Sequence, residues 1–485
     1  MTVILSLLFF AGMAWIQFAS PDMPDNDGFY HIKLAYLMRT EGLKPDFSWL
    51  PQSILNQDEF YDHHFLFHVA LIPFTFGDLR VGAKWAAVVF AAFAFMAIWF
   101  LFHRQQISFA WLWALGLLGI SEAFLYRMNI TRAQSLSLGL LALGMLWLLE
   151  RKYKHLAVLA FVYVWMYDAF PLLIALTVLY VIAVAITERR FEYRSLLFVG
   201  AGILLGILIN PYLPDNIIFS VRHMLPKLMD ATSVPVGNEW YPYETDQLLA
   251  NSFPALVAFV SGILALGLSA RKMDLRTSFA LLVSLLFALM LFQARRFVEY
   301  FPPFALIFAA FAWSDLLAHP QPVALEPWRF PQLRLPFLAL SLAIVLSLFR
   351  TLPVARARMD DLKPYDLYEG SSKWLEQNTQ TGELVFQTDW DDFPRLFFYN
   401  THNTYLIGLD PTYLQMYDEK LYDLWVPLVR GEISQPSQFI ANVFHARYVH
   451  TDLNHKAFIR RAGEDAYMQE VYRDGQSVIF QITRP

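Results

Sequence analysis

The chain has 485 residues and is 56% hydrophobic but only 16% charged, where a soluble domain is nearer one quarter charged. A net charge of −5 with no polybasic block excludes a nucleic-acid partner, and the absence of cysteine excludes a disulfide framework and thiol chemistry. The apolar excess is gathered into runs near the bilayer-spanning length of about 20 residues, which reads as a polytopic α-helical membrane protein.

Residues 1–20 are almost purely apolar and lack a basic leading segment, so they read as a first transmembrane helix rather than a cleaved leader. Further spans are expected at 82–102, 107–122, 132–149, 156–168, 170–187, 195–210, 251–269, 277–294, 298–317 and 333–350, eleven in all. With the N-terminus inside, the inner loops are His103-Arg104, Arg151 to Lys154, Arg189 to Arg194, Arg271 to Arg276 and His319 to Arg334. Most of these are rich in Lys or Arg, as the positive-inside rule asks. The outer loops are then 21–81, 123–131, 169, 211–250 and 295–297. From about Leu352 the sequence turns polar, so 1–351 is read as the membrane domain, with 21–81 as its catalytic loop, and 352–485 as an outer mixed α/β domain. Residues 383–388 and 477–482 alternate like strands, and Ser371 to Gln377 reads as a helix capped by Ser371 or Ser372.

The unusual polarity lies on the outer side. Asp25 and Asp27 precede an aromatic-rich stretch, Phe29-Tyr30-His31-Ile32, suited to an interfacial helix. Asp27 reads either as a helix cap or as a general base or metal ligand at the water boundary. Asp62-His63-His64 with His68 has ligand character, and Asp62 with His64 is the expected cation pair. The other reading is an interfacial aromatic belt. Arg295-Arg296 is positive charge on the disfavoured side, suited to phosphate oxygens or to an ion pair with Glu299. Arg127 and Arg132 form a second outer pair, for which headgroup snorkelling is the alternative. The long loop 211–250 carries Glu239-Trp240-Tyr241, and its aromatic density argues against disorder.

These stretches resemble the GT-C type membrane glycosyltransferases, and among them the catalytic subunit of oligosaccharyltransferases. Asp27-Gly28-Phe29-Tyr30-His31-Ile32-Lys33 follows the spacing of that family's first-loop aspartate motif. Arg296-Phe297 with Tyr300 and Pro303 is similar to its late-span arginine motif. Asp389-Trp390-Asp391-Asp392 after an expected strand resembles a degenerate form of its WWDYG motif. Two departures stand out. The second acidic motif, expected after the third span, is replaced by Arg132-Ala133-Gln134, and the Asp-x-His of Asp62 and His64 lies in the first loop instead.

The resemblance implies an enzyme of the plasma (inner) membrane, with its C-terminal domain extracytoplasmic, that moves a sugar from a polyprenyl-phosphate or polyprenyl-diphosphate donor. The acceptor would be a glycan, lipid or protein. Asp27 would orient or deprotonate the acceptor, and Arg296, with Arg127 or Arg132, would neutralise the departing phosphate. A divalent cation, Mg or Mn, would sit at Asp62 and His64. Glu239 and its loop would complete the site, and Trp390 and Asp391 would contact the acceptor. A lipid-linked glycan flippase and a non-catalytic assembly partner are the rival classes. A transporter would place its ionisable groups near the bilayer midplane.

Overall fold

In a computed structural model, residues 1–224, 237–269, 272–318 and 334–483 are described. The expected loop His319 to Arg334, Arg271 of the preceding inner loop and part of the loop 211–250 lie largely outside them. Five described helices are long and apolar enough to cross a membrane, and six shorter apolar helices accompany them.

The membrane half begins with α1 (Thr2–Gln17), followed by α2 (Asp27–Glu41) and α3 (Phe65–Leu71), which belong to the first loop. Then come α4 (Leu79–Arg104), α5 (Ala110–Leu115), α6 (Glu122–Met128), α7 (Gln134–Leu149) and α8 (Tyr153–Met166). These are followed by α9 (Pro171–Glu188), α10 (Tyr193–Leu208) and α11 (Asp215–Phe219). The remainder is α12 (Thr245–Leu268), α13 (Leu275–Gln293), α14 (Phe301–Ala318) and α15 (Arg334–Asp360).

The helices pack through small residues and buried hydroxyls, because lipid supplies no hydrophobic drive between them. Gly202 of α10 lies so close to α8 that a Cβ there would sit 2.1 Å from the Ala157 carbonyl oxygen. Ser137 of α7 hydrogen-bonds the hydroxyls of Tyr163 in α8 and of Tyr300 at 2.9 Å. Outward-facing Leu7, Leu204, Leu264 and Leu289 remain exposed, as lipid-facing residues do.

Three expectations change. The stretch 107–122 is not one helix: it breaks at Gly116 and Gly119, and Ser121 caps α6 by accepting from the Phe124 N–H at 3.1 Å. The polarity change at Leu352 falls inside α15, which continues to Asp360. The helix expected from Ser371 starts earlier, at Glu369, so Ser371 Oγ bonds the Tyr368 carbonyl at 3.2 Å from inside it.

The C-terminal part carries a five-stranded mixed sheet of order β2-β1-β3-β5-β4. Its strands are β1 (Leu384–Gln387), β2 (Thr404–Tyr405), β3 (Tyr448–Asp452), β4 (Met468–Arg473) and β5 (Ser477–Ile482). β1 runs parallel to β2 and β3, while β5 is antiparallel to β3 and β4. The carboxyl end of β1 leads into Asp389-Trp390-Asp391-Asp392 and then the helix Phe393–Tyr399, which packs on α2. The fully buried Arg395 fixes this junction. Its Nε donates to Asn26 Oδ1 at 2.7 Å, and its guanidinium stacks on Phe29.

Candidate active site

Where the helix bundle meets the C-terminal sheet region, a cavity of about 300 Å³ is lined by Asp27, His31, His64, Arg132, Tyr167, Glu239, Trp240 and Arg296, among others. Six separate segments therefore converge: the start of α2, the residue before α3, the turn after α6, the residue after α8, the loop before α12 and the turn between α13 and α14.

Asp27 opens α2 as its first residue, but it is not the cap. Asn26 holds that position, and its side chain makes no capping bond. Instead Asn26 Nδ2 donates to Asp391 Oδ2 at 2.6 Å, tying the first loop to the C-terminal sheet region. The Asp27 carboxylate turns to Arg132, whose Nη2 donates to Oδ2 at 2.6 Å. Arg132 also reaches Asp25 through Nε at 2.5 Å and Glu239 through Nη1 at 3.4 Å.

Glu239 is the second hub. Arg127 Nη1 lies 2.9 Å from its Oε2, and Arg296 Nη1 lies 3.6 Å from its Oε1. The alternative reading of Arg296, an ion pair with Glu299, is not met. Glu299 is taken by Arg127, whose Nε donates to it at 2.6 Å, and Arg296 instead donates to the Tyr167 hydroxyl at 3.1 Å. Trp240, next to Glu239, lies on the Arg296 guanidinium at 4.2 Å from ring centroid. Neither Arg127 nor Arg132 snorkels, because carboxylates bind both.

The electrostatics follow from this packing. Burial pushes the Asp27 carboxyl up to about 7. Arg132 opposes the rise, and Asp25, Asp391 and Glu239 reinforce it. Burial also disfavours ionised Glu239, but Arg127, Arg296 and Arg132 override it and hold its carboxyl well below the usual range. Asp391 rises to about 6 through burial and the nearby Asp25 and Asp389.

A second polar array lies beside the first. Asp62 Oδ2 meets His68 Nδ1 at 2.7 Å, and His68 Nε2 meets His31 Nδ1 at 2.7 Å, with all three residues buried. With the carboxylate as acceptor, neutral imidazoles take one order: each Nδ1 donates, so His31 keeps its Nε2 lone pair. Burial, then His68 and Arg132, disfavour a charge on His31. Asp62 and His64, expected as a cation pair, engage different partners. Asp62 spends one oxygen on His68 and the other on the His64 backbone N–H at 2.9 Å, while the His64 ring stacks on Tyr167.

Trp390 and Asp391, expected together at the acceptor, point to different places. Asp391 joins Asn26, whereas Trp390 lines a separate pocket with Asp389, Trp425 and His455. Sequence reasoning missed His31, Tyr167, Asn26 and Trp240. His31 carried a signal, since it lies four residues after Asp27 and so on the same helix face. Tyr167 carried none.

No protein-family model matches this sequence, and no curated protein matches it. Solved structures do match in fold. The archaeal oligosaccharyltransferase AglB from Archaeoglobus fulgidus, in complex with an inhibitory peptide and a dolichol-phosphate, aligns with a TM-score of 0.67 at 11% identity. The match covers 96% of this chain and 71% of that one. ArnT from Cupriavidus metallidurans, bound to undecaprenyl phosphate, aligns at 0.57 and 13% identity, covering 99% and 97%. The Archaeoglobus enzyme in complex with Zn and sulfate aligns at 0.63 and 12%, covering 99% and 73%. At these identities the likeness shows the fold, which is the GT-C fold expected from the sequence.

That last relative raises the question of a metal. Among the described residues, no three His, Asp or Glu side chains are grouped to hold one. The place among Asp25, Asp27 and Glu239 is filled by the Arg132 guanidinium. At an effective dielectric of about 20, each unit of positive charge about 4 Å from it meets about 4 kcal/mol of repulsion. The donor set does not fit a divalent ion.

Proposed function

We propose that this chain is a membrane glycosyltransferase that moves a sugar or glycan from a polyprenyl-phosphate or polyprenyl-diphosphate donor to an acceptor at the outer face of the plasma (inner) membrane. One observation carries the reading. A carboxylate whose pKa is pushed up to about 7, Asp27, and a guanidinium with donors to spare, Arg296, line one cavity at the membrane end of an outer domain. Solved proteins of this fold have been captured with dolichol-phosphate and with undecaprenyl phosphate.

In this reading the lipid phosphate enters beside Arg296, whose planar fork matches phosphate oxygens. Arg127 stands behind Glu239, and Arg132 is saturated by carboxylates, so Arg296 is the direct phosphate ligand. Asp27 takes the proton of the acceptor nucleophile as the bond from the sugar to the phosphate breaks. A base with a pKa near the working pH suits that task. Arg296 stabilises the charge that develops on the departing phosphate. The Glu239 loop closes the cavity, and Asp391, held by Asn26, faces the acceptor side. The chain would cross the membrane eleven times, counting short and broken helices, and carry its sheet domain outside.

The test is reconstitution with a labelled polyprenyl-phosphate sugar and a mixture of acceptors. Transfer by the parent protein and none by Asp27→Asn supports the reading. Equal transfer by both, or movement of the intact donor across the bilayer without transfer, overturns it.

A further inference from the structure

Arg132 touches three carboxylates at once, one through each guanidinium nitrogen: Asp25 at 2.5 Å, Asp27 at 2.6 Å and Glu239 at 3.4 Å. Asp25 and Asp27 come from the first loop, and Glu239 comes from a loop 107 residues beyond Arg132. Acids gathered from distant segments around one centre need a cation to offset their repulsion and fix their relative positions. In carboxylate sites a divalent ion commonly does this. Here a planar, permanently charged side chain does it, with a rigid fork that leaves each acid a defined partner.

Two further observations agree. Asp25, Asp27, Glu239 and Glu299 face Arg127, Arg132 and Arg296, four carboxylates against three guanidiniums, so the cluster is close to neutral without another ion. Arg132 also stands where the sequence departs from the oligosaccharyltransferase pattern, with Arg132-Ala133-Gln134 in place of an acidic motif. An arginine at that place supplies a positive charge from the chain itself.

We propose that Arg132 is a covalently tethered substitute for a divalent cation, and that this site works without a metal ion. The inference rests on the glycosyltransferase reading for its meaning, but its binding test does not. A bare structural staple would hold the same loops together without being replaceable by a free cation, and that difference is measurable.

The experiment uses the full chain in lipid nanodiscs with Mn²⁺ as the probe. Wild type should hold no stoichiometric Mn²⁺ by paramagnetic resonance titration, and EDTA should leave its transfer rate unchanged. Arg132→Ala should lose roughly a hundredfold in transfer, the scale of removing one positioned electrostatic group. It should also acquire one Mn²⁺ site that Asp27→Asn abolishes, and regain transfer with Mn²⁺ or methylguanidinium. One Mn²⁺ bound to wild type and lost in Asp27→Asn would overturn the proposal, as would transfer abolished by EDTA. An Arg132→Ala protein that folds but neither binds Mn²⁺ nor is rescued would overturn it too. Should that variant not fold, Arg132→Gln takes its place with the same readouts: one Mn²⁺ site and Mn²⁺ rescue support the proposal, and neither overturns it. Absence of transfer by wild type would count against the enzyme reading and leave the titration readable.

Discussion

Asp27→Asn separates catalysis from architecture better than any other single change. Asparagine has nearly the same shape, and Asp27 is not the helix cap, so α2 loses no capping bond. Arg132 keeps Asp25 and Glu239 as partners. The burial that raises the Asp27 carboxyl opposes its ionised form in the folded protein, so removing the charge costs little and the melting temperature should change by only a few degrees. Transfer should instead drop by about two to four decades, the usual effect of removing a general base. The pH profile gives an independent check. Burial raises the Asp27 carboxyl to about 7, so its ionised, proton-accepting fraction grows as pH rises through 7. Parent activity should climb over that interval, and the residual activity of Asp27→Asn should not. The assay is release of polyprenyl phosphate from a labelled donor, with folding followed by thermal denaturation. A folded Asp27→Asn protein within threefold of the parent rate refutes the assignment.

Four other outcomes are expected. Arg296→Ala should raise the donor KM roughly tenfold or more, the equivalent of about 1.4 kcal/mol, and Arg296→Lys should recover only part of it; unchanged donor KM in both would contradict the phosphate role. Glu239→Gln should cost about 1.5–3 kcal/mol through its weakened bonds to three arginines, read as a lower melting temperature and faster proteolysis near Trp240. His68→Leu should destabilise by about 3 kcal/mol, because it leaves the Asp62 carboxylate buried without its imidazole donor; a variant as stable as the parent would show that the array contributes nothing. Cysteines placed singly at 151, 190 and 390 report topology cleanly in a chain with no native cysteine. Only position 390 should react with an impermeant reagent in intact cells, and the reverse pattern would invert the orientation.

The membrane half was legible because lipid imposes a simple pattern, long apolar runs with basic ends. Where local geometry overrode that pattern, the sequence misled. The run 107–122 is apolar enough to suggest one span, but Gly116, Gly119 and the Ser121 cap divide it. β1 and β5 were visible as alternation, while β2, only two residues long, offers no period to detect. In the candidate site, Asp27, Arg127, Arg132, Glu239 and Arg296 each stood out as charge on an apolar background. Which of them pair did not, because pairing is a tertiary fact. Arg132 meets Glu239 across 107 residues and Asn26 meets Asp391 across 365. The same holds for Asp62 and His64. Their spacing suggests joint ligation, yet Asp62 faces His68 six positions on, and His68 faces His31 from another helix.

The most direct test of the central claim is a structure of the protein with a short-chain polyprenyl phosphate bound. The account predicts the phosphate in the cavity lined by Asp27, Tyr167, Glu239 and Arg296, within hydrogen-bond reach of the Arg296 guanidinium, and the lipid tail leaving between helices. A phosphate bound at the opposite end of the bundle, among Arg104, Arg151 and Arg190, with this cavity unchanged, would contradict it.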